Sequence, residues 1–449
     1  MISSIEKVQI APLQRPIGGV YSVRAGGSTV TFALGATEKW VLPATFHLNL
    51  RVRLLDGAST AANPVRPNNN DADGTGVRNI TLNSRVGCLS LLQSVQVSTK
   101  SNRVLEHCRN VGRMASSTLG VTKGWGDFDS VCQQLYGATS NVDSNDKRYN
   151  QDVEVSIPLH TILGTFSGEN IPLSAKNGVN GLEVTIYLQN NASAIYGDQA
   201  AQNSGSYFEI RDLTLSGSLA TPEGDMLPPI QGFTYNNYSS FYTTIQQQDE
   251  NVSFNVALKG ALAQFANYIP SSHLGNYSHD EYETDSLVNK DNNGNYILRA
   301  PIRQLDFLRN GMRFPNLYSM NFSNLLEMGA NGTYDSSGYD ALRQRNFMDA
   351  IKRITKISKT IASPMSEILR NSQISSRDPS NFQEYGHEVF GTGCAYDKLG
   401  IGSTADFSSK PFQMRMRSML DGLGVISVYL YFLHKNYLEI NSDLTVVEN

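Results

Sequence analysis

The chain has 449 residues and a formal net charge of −4, with 17% charged residues. This length exceeds what one hydrophobic core usually supports and suits two domains. The net negative charge excludes a protein whose whole surface binds nucleic acid. No run of 18 apolar residues predicts a membrane-spanning helix. The first 16 residues lack the charged-then-apolar pattern of a secretory signal, so we expect the protein to fold inside a cell.

The first half reads as a series of strands. Segments 28–34, 46–54, 88–99 and 181–189 are rich in β-branched and apolar residues with a period of two. The clearest is 46–54, where alternate positions are apolar: Phe46, Leu48, Leu50, Val52 and Leu54. This alternation is typical of half-buried antiparallel strands.

Segment 206–219 contains a change of phase. Phe208 and Ile210 fall on one face of a regular strand, whereas Leu213 and Leu215 fall on the other. An extra residue would return both pairs to the same face. We therefore predict one long strand with a bulge or bend at Arg211–Asp212.

Two segments have helical spacing, one in each half of the chain. The apolar residues of 105–120 predict a helix ended by Gly120, and an isoleucine stripe predicts a second helix over 340–364. The second helix has an excess of positive charge. We interpret this as the solvated face of a packed amphipathic helix; a surface for nucleic acid, lipid or an acidic partner is the alternative. Strand-like segments 251–258, 295–302 and 425–447 surround it.

A proline-rich segment separates the two series of strands. Residues 222–231 contain Pro222, Gly224, Pro228 and Pro229, and predict a hinge. Loop 56–79 is long and rich in Asn, Asp and Gly, as functional or mobile loops often are. Together these features predict an all-β protein made of two tandem β-sandwiches with long loops and one helical insertion in each half.

No segment has the signature of an enzyme or a metal site. The cysteines, Cys88, Cys108, Cys132 and Cys394, lack metal-binding spacing and are expected to be reduced. Residues 289–300 resemble a calcium loop, but Ala300 stands where a bidentate Glu is needed, so a hairpin is predicted. A cation in loop 68–76 is a weaker alternative to a solvated loop. The seven histidines include no HxH pair, and no GxSxG, P-loop or GxGxxG motif follows a strand. We predict no catalytic, cofactor-binding or metal-binding residues and no enzymatic activity.

The order of several motifs resembles that of the double jelly-roll major capsid proteins of icosahedral dsDNA viruses, in particular polinton-like viruses and virophage relatives. The similar segments are GGVYSVRAGGSTVTFALGATEKWVLPATFHLNLRVRL (18–54), LNSRVGCLSLLQSVQVSTKSNRVLEHCRNVGRM (82–114), the paired IPL segments within 155–188, RNGMRFPN (309–316) and FQMRMRSMLDGLGVISVYLYF (412–432). The similarity covers nearly the whole chain.

The resemblance implies a jelly roll at 18–221, a hinge at 222–231 and a second jelly roll at 232–449. It implies a homotrimer that forms a pseudo-hexagonal capsomer, and capsomers that tile an icosahedral shell around a dsDNA genome. Residues 1–17 would be an N-terminal arm that reaches neighbouring subunits, and loops 56–79 and 271–296 would be outer or intersubunit loops.

The implied partners are other copies of the chain, penton proteins, and minor or cement capsid proteins. An internal membrane or the genome would lie on the inner face, with no small-molecule substrate. The implied location is the virion, assembled in the host cytoplasm or nucleus.

The alternative is a carbohydrate-binding or adhesion protein, such as a spike or fibre component made of two β-sandwiches. It predicts an exposed aromatic platform, for which the tyrosine-rich segments 234–244 and 428–438 are candidates.

Overall fold

A computed structural model of the chain describes part of its length. The described residues are 2–24, 26–55, 57, 80–82, 86–122, 152–176, 178–197, 205–223, 232–246, 251–254, 256–275, 287–290, 296–299, 302–314, 320–321, 327–328, 334–335, 392–396, 404–409, 412–418, 425–440 and 446–448. The predicted helix 340–364 and nearly all of loop 56–79 lie outside the described residues, as does most of the hinge.

The chain divides into two compact units. Unit 1 comprises residues 1–112, 127–239 and 435–449, and unit 2 comprises 113–126 and 240–434. Residues 232–239 and 435–449 thus group with the first half of the sequence. The hinge and the jelly-roll boundaries at 221 and 232 stay predictions, because only Pro222 and Glu223 of the hinge are described.

Unit 1 contains most of the first thirteen strands. These are β1 (Ile2–Ile10), β2 (Thr29–Leu34), β3 (Trp40–Val41), β4 (His47–Leu55), β5 (Ile80–Thr81), β6 (Leu92–Thr99), β7 (Val104–Arg109), β8 (Val153–Pro158), β9 (Ile171–Pro172), β10 (Leu182–Leu188), β11 (Tyr196–Gly197), β12 (Tyr207–Pro222) and the first part of β13 (Gly232–Ile245). A short helix, α2 (Asn191–Ala194), is capped by the Asn190 side chain, which accepts from the Ser193 N–H.

Two main sheets form unit 1, and β5 pairs with β11 in a separate two-stranded sheet. One has the order β8-β4-β12-β3-β9 with β1 also paired to β12, and the other has the order β2-β10-β6-β7-β13. In β4 the burial alternates from His47 to Leu54, as its sequence predicts. The apolar faces of these strands supply the core of the unit.

The long strand β12 contains the predicted bulge. Arg211 pairs with Arg51 and Thr214 pairs with Asn49, so β12 has one extra residue at this point. Asp212 takes a left-handed conformation with φ +50°, and Leu213 and Leu215 stay buried like Phe208 and Ile210. The phase prediction is confirmed.

The predicted helix at 105–120 is only partly correct. Residues Val104–Arg109 form β7, and helix α1 covers Val111–Thr122. Asn110, with φ +54°, turns the chain between them. The apolar spacing of Leu105 and Cys108 satisfies both a helix and this strand, because β7 is buried on both faces near Glu106.

Unit 2 contains the remaining strands except β26. These are β14 (Asn251–Phe254), β15 (Ala261–Pro270), β16 (Leu287–Lys290), β17 (Tyr296–Arg299), β18 (Ile302–Arg309), β19 (Met312–Arg313), β20 (Met320–Asn321), β21 (Glu327–Met328), β22 (Tyr334–Asp335), β23 (Thr392–Ala395), β24 (Phe412–Ser418) and most of β25 (Ile426–Ile440). The last strand, β26 (Val446–Glu448), pairs with the end of β25 in unit 1.

Two main sheets also form unit 2, with orders β14-β24-β18-β19, where β20 also pairs with β18, and β13-β25-β15-β23; β16–β17 and β21–β22 are separate two-stranded sheets. An aromatic cluster fills the core: Phe407, Phe412 and Phe432 lie within 5.3–5.7 Å of one another by ring centroid. Strands β16 and β17 pair antiparallel, so the prediction of a hairpin at the calcium-like segment is confirmed. The described part of the chain is almost entirely β-structure arranged in two units, which confirms the all-β prediction.

Candidate functional site

The most elaborate polar site in unit 1 surrounds the buried carboxylate of Glu106 on β7. Its Oε1 accepts the N–H groups of Gly164 (2.9 Å) and Tyr238 (2.6 Å). Its Oε2 accepts the Thr165 N–H (2.8 Å) and the Thr165 hydroxyl (2.6 Å). One side chain therefore joins β7, the 164–165 turn and β13, which lie far apart in sequence.

Burial determines the protonation of this carboxyl. Desolvation raises the pKa of Glu106 to about 7, and the hydrogen bonds from Thr165, Tyr238 and Gly164 oppose the rise. Burial also raises the pKa of the neighbouring Cys108 thiol, which is not part of a disulfide. Glu106 therefore titrates near neutral pH inside the protein.

The backbone around Glu106 is closely packed. The Leu105 carbonyl accepts from the Tyr235 hydroxyl (3.3 Å) and from Asn237 Nδ2 (2.6 Å). A Cβ placed on Gly164 would lie 2.9 Å from the backbone of Asn236, so only glycine fits there without a shift. The first residues of β13 are thus fixed to unit 1 by both polar and steric contacts.

A second buried network lies in unit 2, at the start of α1. Arg113 Nε donates to Asn267 Oδ1 (2.9 Å), and Asn267 Nδ2 donates to the Arg113 carbonyl (3.0 Å) and the Ser117 hydroxyl (2.7 Å). The Arg113 guanidinium also lies 5.7 Å from the centroid of the Tyr429 ring. Glu106 and Arg113 are two of the three charged residues of the LE…RN.GR motif, and both make buried contacts with strands; the third, Arg109, is exposed.

The outward face of β8, β4 and β12 has a ladder of ion pairs. Arg51 contacts Glu154 and, at 3.3 Å, Asp212 on the bulge. The other pairs are Arg53–Asp152 (3.1 Å), Arg53–Glu209 (3.9 Å) and Arg211–Glu209 (3.2 Å). An open cleft lies over Asn49, Arg51, Glu154, Ser156 and Asp212. The Arg51 pairs are exposed to solvent, whereas the side chains of Arg53, Asp152 and Glu209 are only 14–24% exposed.

Among the strands of unit 1 whose burial the structure describes, β1 is the most exposed. All its side chains are exposed except those of Val8 and Ile10, which are half-buried. Ile5 is 62% exposed and Ile2 is 43% exposed. In unit 2, the tip of the β18–β19 hairpin is similar: Met312 is 71% exposed beyond the left-handed Asn310 and Gly311.

The tyrosine-rich segments are mainly internal. Tyr235, Tyr238, Tyr429 and Tyr431 are buried, whereas Tyr242 and Tyr437 are about half exposed. This burial argues against the aromatic platform that the carbohydrate-binding alternative predicts.

The sequence predicted no site residues and gave no role to Glu106. It predicted residues 1–17 as an N-terminal arm that reaches neighbouring subunits; in the structure Ile2–Ile10 pair with β12 of the same chain, and the contact with neighbours stays a prediction. In the described part of the chain, no group of three or more His, Cys, Asp or Glu side chains could hold a metal ion. No helix in that part is long and apolar enough to cross a membrane. The cation loop 68–76 lies outside the described residues.

Comparison with known proteins gives matches at the level of structure. No protein-family model matches the chain, and no curated protein sequence does. The PBCV-1 virus capsid structure is similar with a TM-score of 0.56 and 10% identity, over 99% of this chain and 96% of that chain. The Faustovirus major capsid protein has a TM-score of 0.53 and 9% identity, over 98% of this chain and 91% of that chain.

A third structure, PBCV-1 VP54 fitted into a reconstruction of the virophage Sputnik, has a TM-score of 0.54 and 10% identity over 99% of this chain and 96% of that one. At such low identity, these similarities establish a shared fold. Over nearly its whole length, the chain has the double jelly-roll fold of these major capsid proteins.

Proposed function

We propose that the chain is a major capsid protein, a structural component of the virion of an icosahedral dsDNA virus. The observation that carries this proposal is the agreement in fold with the PBCV-1 capsid over 99% of the chain. A partial match could reflect a common β-sandwich module, whereas agreement through both units supports the same kind of building block.

The proposed capsomer is a homotrimer. Each chain contributes two β units, so three chains present six units around a threefold axis and form a pseudo-hexagonal block. Such blocks tile a shell together with penton and minor or cement proteins, around the dsDNA genome or an internal membrane. Each contact of standard size buries about 1,600 Å² in total, and repetition across the lattice multiplies modest affinities.

The buried polar groups support a structural rather than an enzymatic role. The Glu106 carboxylate is occupied by four donors from its own chain, and the Arg113–Asn267–Ser117 network is internal as well. A catalytic carboxyl needs access to a substrate, which these contacts deny to Glu106. Location in the virion, with assembly in the host cytoplasm or nucleus, follows from the proposed role.

The proposal is tested by measuring the mass of the recombinant full-length chain with light scattering and imaging it by electron microscopy. We expect particles of three chains with a six-sided outline, and larger sheets or shells at high concentration. A monomer that binds defined oligosaccharides on a glycan array would overturn the proposal and favour the adhesion alternative.

A further inference from the structure

Strand β1 has a one-sided ladder of backbone hydrogen bonds. It pairs antiparallel with the second half of β12, from Ile10 opposite Leu215 to Ile2 opposite Pro222. In the described part of the chain, no strand pairs with the other edge of β1. That edge presents a row of backbone donors and acceptors to whatever lies beside it.

The energetics of β1 favour a second neighbour. Ordering each residue costs about 1–2 kcal/mol of backbone entropy, while each backbone hydrogen bond returns only about 1 kcal/mol. A strand usually recovers the difference by burying one face, but only Val8 and Ile10 of β1 are even half-buried. Ile5 is 62% exposed at the centre of the strand. Covering the outer edge and Ile5 would supply the missing burial.

The charges of β1 restrict how a second copy could pair with it. When two copies of a strand pair antiparallel around a twofold axis, the residue on the axis faces itself. The residue after it in one copy then faces the residue before it in the other. Centring on Glu6 or Lys7 would oppose two like charges, which is destabilising. A register centred on Ser4 would pair only residues 2–6, and one centred on Val8 would pair only residues 6–10.

One register avoids both problems. Centring on Ile5 overlaps residues 2–8, places Ile5 against Ile5 of the second copy, and sets Glu6 opposite Ser4 and Lys7 opposite Ser3. Glu6 keeps its own partner, because it is paired within the chain with Lys39.

We propose that β1 pairs with β1 of a second copy of this chain, antiparallel and centred on Ile5. This pairing joins the sheets of two chains edge to edge across a local twofold axis. It rests on the proposed function in one respect, since a shell places copies of the chain side by side. The twofold contact is separate from the proposed threefold contacts within a capsomer.

The test is disulfide trapping in the full-length protein. Ile5→Cys places two thiols directly opposite, within the distance at which a disulfide closes. Lys7→Cys is the matched control, because residue 7 is also exposed and on the same face but lies opposite residue 3. After mild oxidation we expect a linked dimer for Ile5→Cys and at least about tenfold less for Lys7→Cys. Peptide mapping by mass spectrometry locates the bond at position 5.

Each outcome bears on the pairing separately from the capsid role. Trimers or shells without an Ile5→Cys link, or with the link in Lys7→Cys instead, would overturn the pairing and leave the proposed function standing. A link at position 5 in a protein that never forms trimers would support the pairing and overturn the capsomer. As a second variant, Ile5→Lys opposes two lysines and should weaken association of trimers while leaving each trimer folded.

Discussion

Glu106 and Glu154 are two carboxylates of unit 1 with opposite surroundings. Glu106 is buried and accepts four hydrogen bonds, whereas Glu154 is exposed and contacts Arg51 on the outer face of the sheet. A buried acceptor leaves its donors unsatisfied when it is removed, while an exposed ion pair is replaced by water. We therefore expect the stability of unit 1 to depend on its buried polar contacts far more than on its exposed ion pairs.

The largest expected effect comes from removing the buried carboxylate. Glu106→Ala leaves three N–H groups and a hydroxyl without their acceptor, at a cost of about 3–5 kcal/mol in unfolding free energy. Urea unfolding followed by fluorescence measures the loss. Glu154→Ala is the control, with little change expected; equal effects for the two variants would contradict the comparison.

The next effect is a pH dependence that only the buried carboxyl should show. Its folded pKa is about 7 against an ordinary value of 4.5, so the folded state binds more protons between these values. Stability from Glu106 is therefore full below pH 4.5 and is lost as the pH rises through 7, by about 3 kcal/mol in total.

The measurement is the unfolding free energy of wild type and Glu106→Gln from pH 4.5 to pH 8. We expect the difference between the two proteins to shrink as the pH rises. A constant difference would show that Glu106 has an ordinary pKa in the folded protein.

A steric change beside the same carboxylate should have a smaller effect. Gly164→Ala places a Cβ 2.9 Å from the Asn236 backbone, and the strain should cost about 1–3 kcal/mol. Gly35→Ala is the control, because a Cβ on Gly35 would meet open space. Gly205→Ala is unsuitable, because the positive φ of Gly205 would add backbone strain. The measurement is the unfolding midpoint of each variant. We expect it to fall for Gly164→Ala, where the new Cβ clashes, and to change little for Gly35→Ala, where it does not.

The smallest expected effect is on the ladder of ion pairs. Arg51→Ala removes contacts with Glu154 and Asp212, and we expect an unfolding midpoint unchanged within the error of measurement, in low salt or high salt. A clear loss of stability that disappears at high salt would mean that the exposed ion pairs of Arg51 stabilise the protein.

Local patterns in the sequence predicted the strands better than the buried site. The alternation in β4 and the phase change in β12 depend on neighbouring residues, and both predictions are confirmed. The turn between β7 and α1 was missed because apolar residues at 105 and 108 suit helix and strand alike. Asn110, which takes the left-handed conformation there, was the available signal.

The environment of Glu106 could not be read from its sequence neighbours. Its donors lie 58, 59 and 132 residues away, and a Glu followed by His and Cys resembles an ordinary surface position. The place of β1 was equally hidden, since the sequence predicted residues 1–17 only as an arm, whereas Ile2–Ile10 form a strand paired with β12 of the same chain. In both cases the decisive contacts are tertiary rather than local.

The extra residue in β12 lets a single strand serve two sets of neighbours. Before Asp212 the strand follows the spacing of β4, and after it the same strand supports β1 on one side and β3 on the other. Deleting Asp212 would shift the register of one half of β12 by one residue and turn its side chains to the opposite face of the sheet. Either Phe208 and Ile210 or Leu213 and Leu215 would then face water. One inserted residue thus keeps the apolar side chains of both halves of this 16-residue strand in the same hydrophobic core.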